Sequence, residues 1–222
     1  RTADSTLTPR LIAAPAATDN SAATAWSAPT TLDVLANDQV DSHTSLVPSS
    51  VLLCGLNPVE PPGSCTRTTL QVPGEGIYTV DPVTGRVTFT PDPSFAGATT
   101  PIGYQVADAF GQVATAAIRI TVAVGPPVAA GAVITVPYGG TGTLRPTVTP
   151  GTRAIDPTRT CLTTSTTCLP GQTMLALPEG TYTLDPLTGL VAFTAAPGFS
   201  GPAPNPPSLQ YVDVSGLTAL AP

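Results

Sequence analysis

Four cysteines are the residues of this chain whose chemistry is most clearly indicated. They fall in two close pairs, Cys54 with Cys65 and Cys161 with Cys168. Ten and six residues intervene, and the chain has one histidine, so the spacing does not fit the usual ligand pattern of structural zinc. We expect two local disulfides, each stabilising by about 2.5 to 3 kcal/mol. Because disulfides persist outside the cytosol, they indicate an extracellular protein.

A group of acidic residues forms a second candidate site. Asp33, Asp38 and Asp41 lie within DVLANDQVDS, and Asp108 in VADAFG is expected to approach the same end of the domain. Calcium takes six to eight hard oxygen ligands, so these four carboxylates are candidate calcium ligands. The alternative is that they form Asx turns that hold the loop backbone. No motif requires another cofactor.

Few residues suit catalysis. His43 lies in the polar loop DQVDSHTSL, the chain has no lysine, and the cysteines are expected to be oxidised. The available general bases are therefore carboxylates, most of them at turns. We predict that the protein is not an enzyme.

The charge distribution limits the partners. All eight basic residues are arginines, they are not clustered, and the net charge is −6. Nucleic acid is therefore excluded as an expected partner, because phosphate neutralisation needs grouped basic residues. No apolar run reaches the length of a membrane span.

An internal repeat divides the chain. Residues 76–97 and 180–201 are identical at 13 of 22 positions, at a constant offset of 104 and without a gap. With 27 prolines and 20 glycines interrupting any long helix, and no apolar recurrence at helical spacing, the composition indicates strands and turns. We predict an all-β protein with two domains.

Each repeat contains a hairpin with one buried face. Tyr78 and Val80 alternate with polar residues before the turn DPVTG, and Val87 and Phe89 alternate with polar residues after it. The second copy repeats the pattern with Tyr182, Leu184, Val191 and Phe193. Other inward-facing residues are expected at Leu32, Val34, Val51, Leu53, Ile102, Tyr104, Val106, Ile118, Ile120 and Val122. Six or seven such strands per domain predict two tandem immunoglobulin-like β-sandwiches.

The first copy resembles a known family. The succession DVLAND, LVPSSVLL, PGEGIYTVDPVTGRVTFTPDPSFAG and PIGYQVADAFGQ is similar to the CshA-type fibril repeat of bacterial surface adhesins, over most of residues 15–124. The second copy lacks VLAND and matches mainly over residues 178–201. The resemblance implies a β-sandwich repeat that builds a fibril on the bacterial cell surface, with adhesion often carried by other regions.

The two copies end differently. After Gly111 the first continues for thirteen residues, QVATAAIRITVAV, whereas after Gly216 the second has only LTALAP. Residues 5–17, STLTPRLIAAPAA, resemble the end of the first copy, AIRITVAVGPPVA. We therefore divide the chain into an N-terminal extension, 1–14, a complete repeat, 15–124, and a shortened repeat, 125–222.

Two explanations fit the shortened repeat. Either the chain is a piece of a longer array, or the extension donates a strand through Leu7, Leu11 and Ile12 to the second domain of the next copy. Such a head-to-tail contact generates a pilus-like filament. A frayed terminus is the simplest alternative.

The predicted function is an extracellular structural subunit or stalk repeat, with copies of itself or neighbouring repeats as partners. The alternatives are an adhesive module for a glycan or host protein, with Trp26 or Tyr138 stacking on sugar, and an accessory domain of a larger secreted protein.

Overall fold

The computed structural model of the protein describes residues 9–55 and 61–222. The chain forms two compact units that divide between Ala123 and Val124, here called unit 1 and unit 2. Within the described ranges every regular element is a β-strand except one 3-10 turn, Pro157–Arg159. The all-β prediction is confirmed.

Unit 1 contains two facing sheets. Its strands are β1 Asn20–Thr24, β2 Thr30–Leu32, β3 Leu46–Leu53, β4 Thr69–Val72, β5 Gly76–Val80, β6 Val87–Pro91, β7 Gly97–Ala98, β8 Ile102–Asp108 and β9 Val113–Val122. One sheet has the order β2-β6-β5-β4, and the other has the order β1-β9-β8-β3 with β7 also on β9. The separation of consecutive strands between two sheets is that of an immunoglobulin-like sandwich.

The core of unit 1 lies between these sheets. Tyr78, Phe89 and Tyr104 are fully buried, and the Tyr78 and Phe89 rings lie 4.5 Å apart. Val34 is buried too, but β2 ends at Leu32, so the strand expected to contain Val34 stops earlier and the residue lies in a turn.

Unit 2 repeats much of this arrangement. Its strands are β10 Val128–Ala130, β11 Thr141–Leu144, β12 Thr147–Thr149, β13 Cys161–Thr163, β14 Met174–Leu177, β15 Gly180–Asp185, β16 Leu190–Ala195, β17 Ser208–Val212 and β18 Thr218–Ala221. The sheet β11-β16-β15-β14 corresponds to β2-β6-β5-β4, and β13-β17-β18 corresponds to β3-β8-β9. The small pair β10-β12 completes the unit.

The turn of the repeated hairpin is held by an aspartate. The Val83 N–H donates to Asp81 Oδ1 at 2.8 Å, and the Leu187 N–H donates to Asp185 Oδ1 at 3.0 Å. Hydrogen bonds from Val83 and from the Thr84 side chain and amide lower the pKa of Asp81. The Thr188 side chain and the Leu187 amide likewise lower the pKa of Asp185.

These lowered pKa values predict acid sensitivity. A carboxyl whose pKa is lower in the folded than in the unfolded chain stabilises the fold above its unfolded pKa, and loses that contribution as pH falls through the folded pKa. We expect the free energy of unfolding to fall as pH drops below about 4. Urea titrations across this range should show a smaller acid loss for Asp81→Asn/Asp185→Asn, and an unchanged loss would contradict the assignment.

Candidate functional site: an apolar groove in unit 2

The last strand of unit 1 has two halves with different partners. The first half of β9 pairs antiparallel with β8. The second half, residues 118–122, pairs parallel with β1, from Asn20 opposite Ile118 to Thr24 opposite Val122. The side chains of Ile118, Ile120 and Val122 are buried in the same core as Tyr78 and Phe89. This second half therefore closes one side of the sandwich.

The described residues of unit 2 contain a counterpart of the first half alone. Leu209 in β17 lies opposite Ala221 in β18, as Tyr104 lies opposite Ala116 in unit 1. In unit 1 the strand β9 continues to Val122 beyond this pair, whereas β18 ends at Ala221. Within unit 2 as described, nothing occupies the position of residues 118–122.

The counterpart of β1 is residues 132–136, AVITV. Gly142 lies opposite Phe193 as Thr30 lies opposite Phe89, so Gly142 is the equivalent of Thr30. In this part of the chain a residue of unit 2 is therefore numbered 112 higher than its equivalent in unit 1. The same offset makes Gly131 the equivalent of Asp19. The contacts of these two residues agree with this equivalence. Asp19 accepts a hydrogen bond of 2.8 Å from the N–H of Ala117, and Gly131 lies against the backbone of Pro222, the equivalent of Ala117.

Residues 132–136 have the burial pattern of a strand but no strand partner in the described chain. Positions 132, 134 and 136 are half-buried and 133 and 135 are exposed, the same alternation as in β1. The side chain of Val133 is 97% exposed. Residues 132–136 therefore form an unpaired segment with the burial alternation of an edge strand, here called the open edge.

An apolar groove runs beside the open edge. It has a volume of about 750 Å³ and its lining includes Ile134, Val136, Leu144, Tyr182, Phe193 and Leu209. None of the described residues that line it has an acidic, basic or histidine side chain. Tyr182 and Phe193 are each 8% exposed, whereas their equivalents Tyr78 and Phe89 are fully covered. The groove thus corresponds to the space that Ile118, Ile120 and Val122 fill in unit 1.

A buried carboxylate behind the groove lacks part of its hydrogen bonding. Glu179 is fully buried; its Oε1 accepts from the Tyr182 hydroxyl at 3.4 Å, and its Oε2 has no partner among the described residues. The equivalent Glu75 accepts from the N–H and hydroxyl of Thr100 at 2.8 and 2.6 Å. Desolvation, with the nearby Glu179, raises the pKa of Tyr182 to about 12. The buried carboxylate of unit 2 therefore makes fewer hydrogen bonds than its equivalent in unit 1.

The predicted donor residues lie partly outside the described residues. Leu7 is among those not described. Leu11 is 96% exposed, Ile12 is half-buried, and neither lies in a strand. The first backbone pairing of the described chain is between Ala16 and Gln39. The described part of the extension therefore has no strand pairing, although the Ala13 N–H donates to Asp41 Oδ2 at 3.3 Å.

The carboxylates predicted as calcium ligands have separate partners. Asp33 pairs with Arg86 at 3.3 Å, and Asp41 accepts from the ring and N–H of His43, each at 3.0 Å. Asp38 accepts from the Tyr104 hydroxyl at 2.8 Å. Among the described residues no three His, Cys, Asp or Glu side chains form a group that could hold a metal ion. The predicted convergence of the four aspartates is therefore not seen.

Asp108 instead holds a turn, and the sequence analysis missed its repetition. Its Oδ1 accepts from the N–H groups of Phe110 and Gln112 at 3.0 and 2.8 Å. Asp213 Oδ1 accepts in the same way from Ser215 and Leu217, at 2.8 and 2.9 Å. Desolvation raises the pKa of Asp213, but hydrogen bonds from the Ser215 hydroxyl and from the Leu217, Ser215 and Gly216 amides outweigh it, and the pKa is lowered overall. The signal was present, since DAFG and DVSG share Asp and Gly at the same spacing.

The structure joins Cys54 to Cys65 and Cys161 to Cys168, the pairing that the sequence predicts. A glutamine on the neighbouring strand holds each bridge. Gln105 Oε1 accepts from the Cys65 N–H at 3.2 Å, and Gln210 Oε1 accepts from the Cys168 N–H at 3.1 Å. This repeated glutamine was not singled out from the sequence.

The two units define a tandem of immunoglobulin-like β-sandwiches, the second with an open edge. Residues 16–122 match the family model of the surface adhesin CshA repetitive domain. This stretch, which makes up most of unit 1, is similar to that family. Among curated proteins, none matches the chain.

Several solved structures are similar to the whole chain at low identity. The N-terminal eight immunoglobulin domains of Down syndrome cell adhesion molecule isoform 1.30.30 match at 12% identity and a TM-score of 0.44, over 95% of this chain and 24% of that one. Sidekick-1 immunoglobulin domains 1–4 match at 16% and 0.39, over 95% and 46%. The human desmocollin-1 ectodomain matches at 12% and 0.35, over 91% and 34%. The chain thus spans less than half of each.

Proposed function

We propose that the protein is a non-enzymatic structural subunit of a fibre or adhesin stalk on a bacterial surface, and that copies join head to tail. The N-terminal extension of one copy fills the unit 2 groove of the next. The observation that carries this proposal is the apolar groove beside the open edge, at the place where unit 1 has residues 118–122 of its own.

The chemistry of the groove suits a β-strand. Its lining is uncharged, so an incoming strand with alternating apolar residues would remove apolar surface from water on both sides. The open edge supplies the backbone groups that such a strand needs for pairing.

The described part of the chain has no helix long and apolar enough to cross a membrane. The match of residues 16–122 to a surface adhesin repeat model and the two disulfides support an extracellular location.

The chain spacing also suits donation. Leu11 precedes Asn20, the start of β1, by nine positions, and Val122 precedes Ala132, the start of the open edge, by ten. A donor strand that ends at Leu11 therefore leaves nearly the same length of chain before the next domain as β9 leaves inside one copy. The sequence pattern of strand, proline-containing joint and domain continues from one copy into the next.

Truncation of the extension tests the proposal. We expect the intact protein to form end-to-end chains whose length rises with concentration, visible by electron microscopy and by sedimentation velocity. A variant lacking residues 1–12 should remain monomeric, whereas a matched variant lacking only residues 1–4, before the donor residues, should assemble as the intact protein does. Equal length distributions for all three would refute strand donation.

A glycan-binding role has support from one residue. Tyr138 is 75% exposed, as a sugar-stacking side chain must be, whereas Trp26 is half-buried and its indole N–H donates to the Pro93 carbonyl at 2.8 Å. A glycan-array signal lost on Tyr138→Ala would favour this second function. Array binding that survives this substitution, or no binding by the intact protein, would count against it.

A further inference from the structure

We infer that the donor strand pairs parallel to the open edge, with Leu7, Pro9 and Leu11 directed into the groove. This inference rests on the proposed function and specifies the direction and register of the strand. In this register Leu7 lies opposite Ala132, Pro9 lies opposite Ile134 and Leu11 lies opposite Val136.

The direction follows from unit 1. There, Asn20, Ala22 and Thr24 lie opposite Ile118, Ile120 and Val122 in a parallel pairing. The open edge matches β1 in position and in alternation of burial, as the offset of 112 requires. A strand that replaces residues 118–122 in unit 2 therefore runs parallel to residues 132–136.

The register follows from the alternation of the extension. Residues 7–11 read LTPRL, with apolar residues at 7, 9 and 11 and polar ones at 8 and 10. Residues 118–122 read IRITV, with Ile118, Ile120 and Val122 buried and the two polar residues between them exposed. A shift by one residue would direct Thr8 and Arg10 into an apolar groove, which is unfavourable for a charged side chain without a partner.

Pro9 has no N–H to donate. Unit 2 also lacks a hydroxyl at the position of Thr99, the residue that accepts the corresponding N–H in unit 1. In unit 1 the equivalent Ile120 donates its N–H to Thr99 Oγ1 at 3.0 Å and accepts from the Thr99 N–H at 2.8 Å. Counted from the positive-φ glycines Gly97 and Gly201, the equivalent of Thr99 is Ala203. Counted from Gln105 and Gln210 it is Pro204, and neither residue has a hydroxyl.

In the inferred register the backbone of Pro9 also points away from the open edge. The N–H and C=O of one strand residue point to the same side of the strand. Ile120 directs both groups towards Thr99, so the residues of β9 that bond to β1 are the alternate ones. The Ala123 N–H, for example, donates to the Thr24 carbonyl at 2.9 Å. In the inferred register the residues that bond to the open edge are therefore Thr8 and Arg10, which keep their N–H groups. Pro9 thus removes no hydrogen bond from this pairing.

Directed crosslinking tests the direction. Thr8 and Val133 lie opposite each other on the outer face in the parallel register, and the Val133 side chain is exposed. Disulfides require Cβ atoms about 3.5–4.5 Å apart, so only opposed pairs crosslink readily. We expect the full-length Thr8→Cys/Val133→Cys variant to give a ladder of linked dimers, trimers and longer species on non-reducing gels.

A swapped pair provides the matched control. Arg10 and Val133 are opposed only if the strand runs antiparallel about Pro9, so Arg10→Cys/Val133→Cys should lose the ladder, as should Val133→Cys alone. A ladder from the swapped pair instead would overturn the inferred direction and leave donation itself intact. Absence of both ladders, in protein whose assembly still requires residues 5–12, would show that the strand pairs elsewhere. Failure of the intact protein to assemble would instead count against the proposed function.

Discussion

Two variants that cannot assemble alone should form a dimer, and nothing longer, when mixed. The donor variant carries Leu7→Asp and Leu11→Asp, and the acceptor variant carries Ile134→Asp in the groove wall. An unpaired charge in an apolar site costs several kcal/mol, and each 1.4 kcal/mol changes an equilibrium about tenfold. The donor variant retains an intact groove and the acceptor variant retains an intact extension, so one productive contact remains. Sedimentation velocity at equal total concentration measures the outcome.

The matched controls place the same charge on the outer faces. Val133 is 97% exposed, so Val133→Asp should assemble as the unaltered protein does, and Thr8→Asp should behave likewise. Circular dichroism melting of the Ile134→Asp variant separates loss of assembly from loss of folding. Growth of the mixture beyond a dimer, or assembly of either variant alone, would contradict donation into this groove.

Replacement of Gly76 by alanine should strongly destabilise the hairpin of unit 1. Gly76 has φ of +150°, and an added Cβ would lie 2.8 Å from the Phe89 ring and overlap the Thr90 carbonyl oxygen. Both neighbours belong to the paired strand β6, so the backbone cannot yield without displacing a core ring. Backbone strain and overpacking together suggest a loss of about 3 kcal/mol in the free energy of unfolding. Urea denaturation followed by circular dichroism measures it.

The same substitution in unit 2 is an internal replicate. Gly180 has φ of +154°, and its added Cβ would lie 2.6 Å from the Phe193 ring. Thr79→Ala, on the exposed face of the same strand as Gly76, is the control and should change the free energy of unfolding by less than about 0.5 kcal/mol. If Gly76→Ala were as mild as Thr79→Ala, the close approach described here would be wrong.

The hairpins and the core were predictable because their signals are local. Tyr78, Val80, Val87 and Phe89 alternate with polar residues on both sides of a turn that closes within five residues, so the buried face follows from the period of a strand. The disulfides were predictable for the same reason, since each pair is close in sequence. The repeat then extended these predictions to unit 2.

The open edge was not predictable from the same signals. Residues 132–136 are not part of the stretch that repeats at an offset of 104, and their relation to β1 becomes visible only through the pairing of Gly142 with Phe193. The calcium hypothesis required distant loops to converge with Asp108, whereas its hydrogen-bond partners in the structure, Phe110 and Gln112, lie within its own turn. The open edge depends on contacts between segments that are far apart in sequence, which local periodicity does not reveal.

Hydrogen exchange at the backbone amides of Ala132, Ile134 and Val136, the open-edge residues whose backbone groups would face the donor strand, tests the central claim most directly. In the dilute monomer these amides should exchange rapidly, because the open edge has no strand partner in the described chain. We predict that assembly of the intact protein slows their exchange, and that the Leu7→Asp/Leu11→Asp variant at the same concentration shows no slowing. Rapid exchange at these amides in assembled protein, or equal protection in the donor variant, would contradict the claim that a second copy's strand closes unit 2.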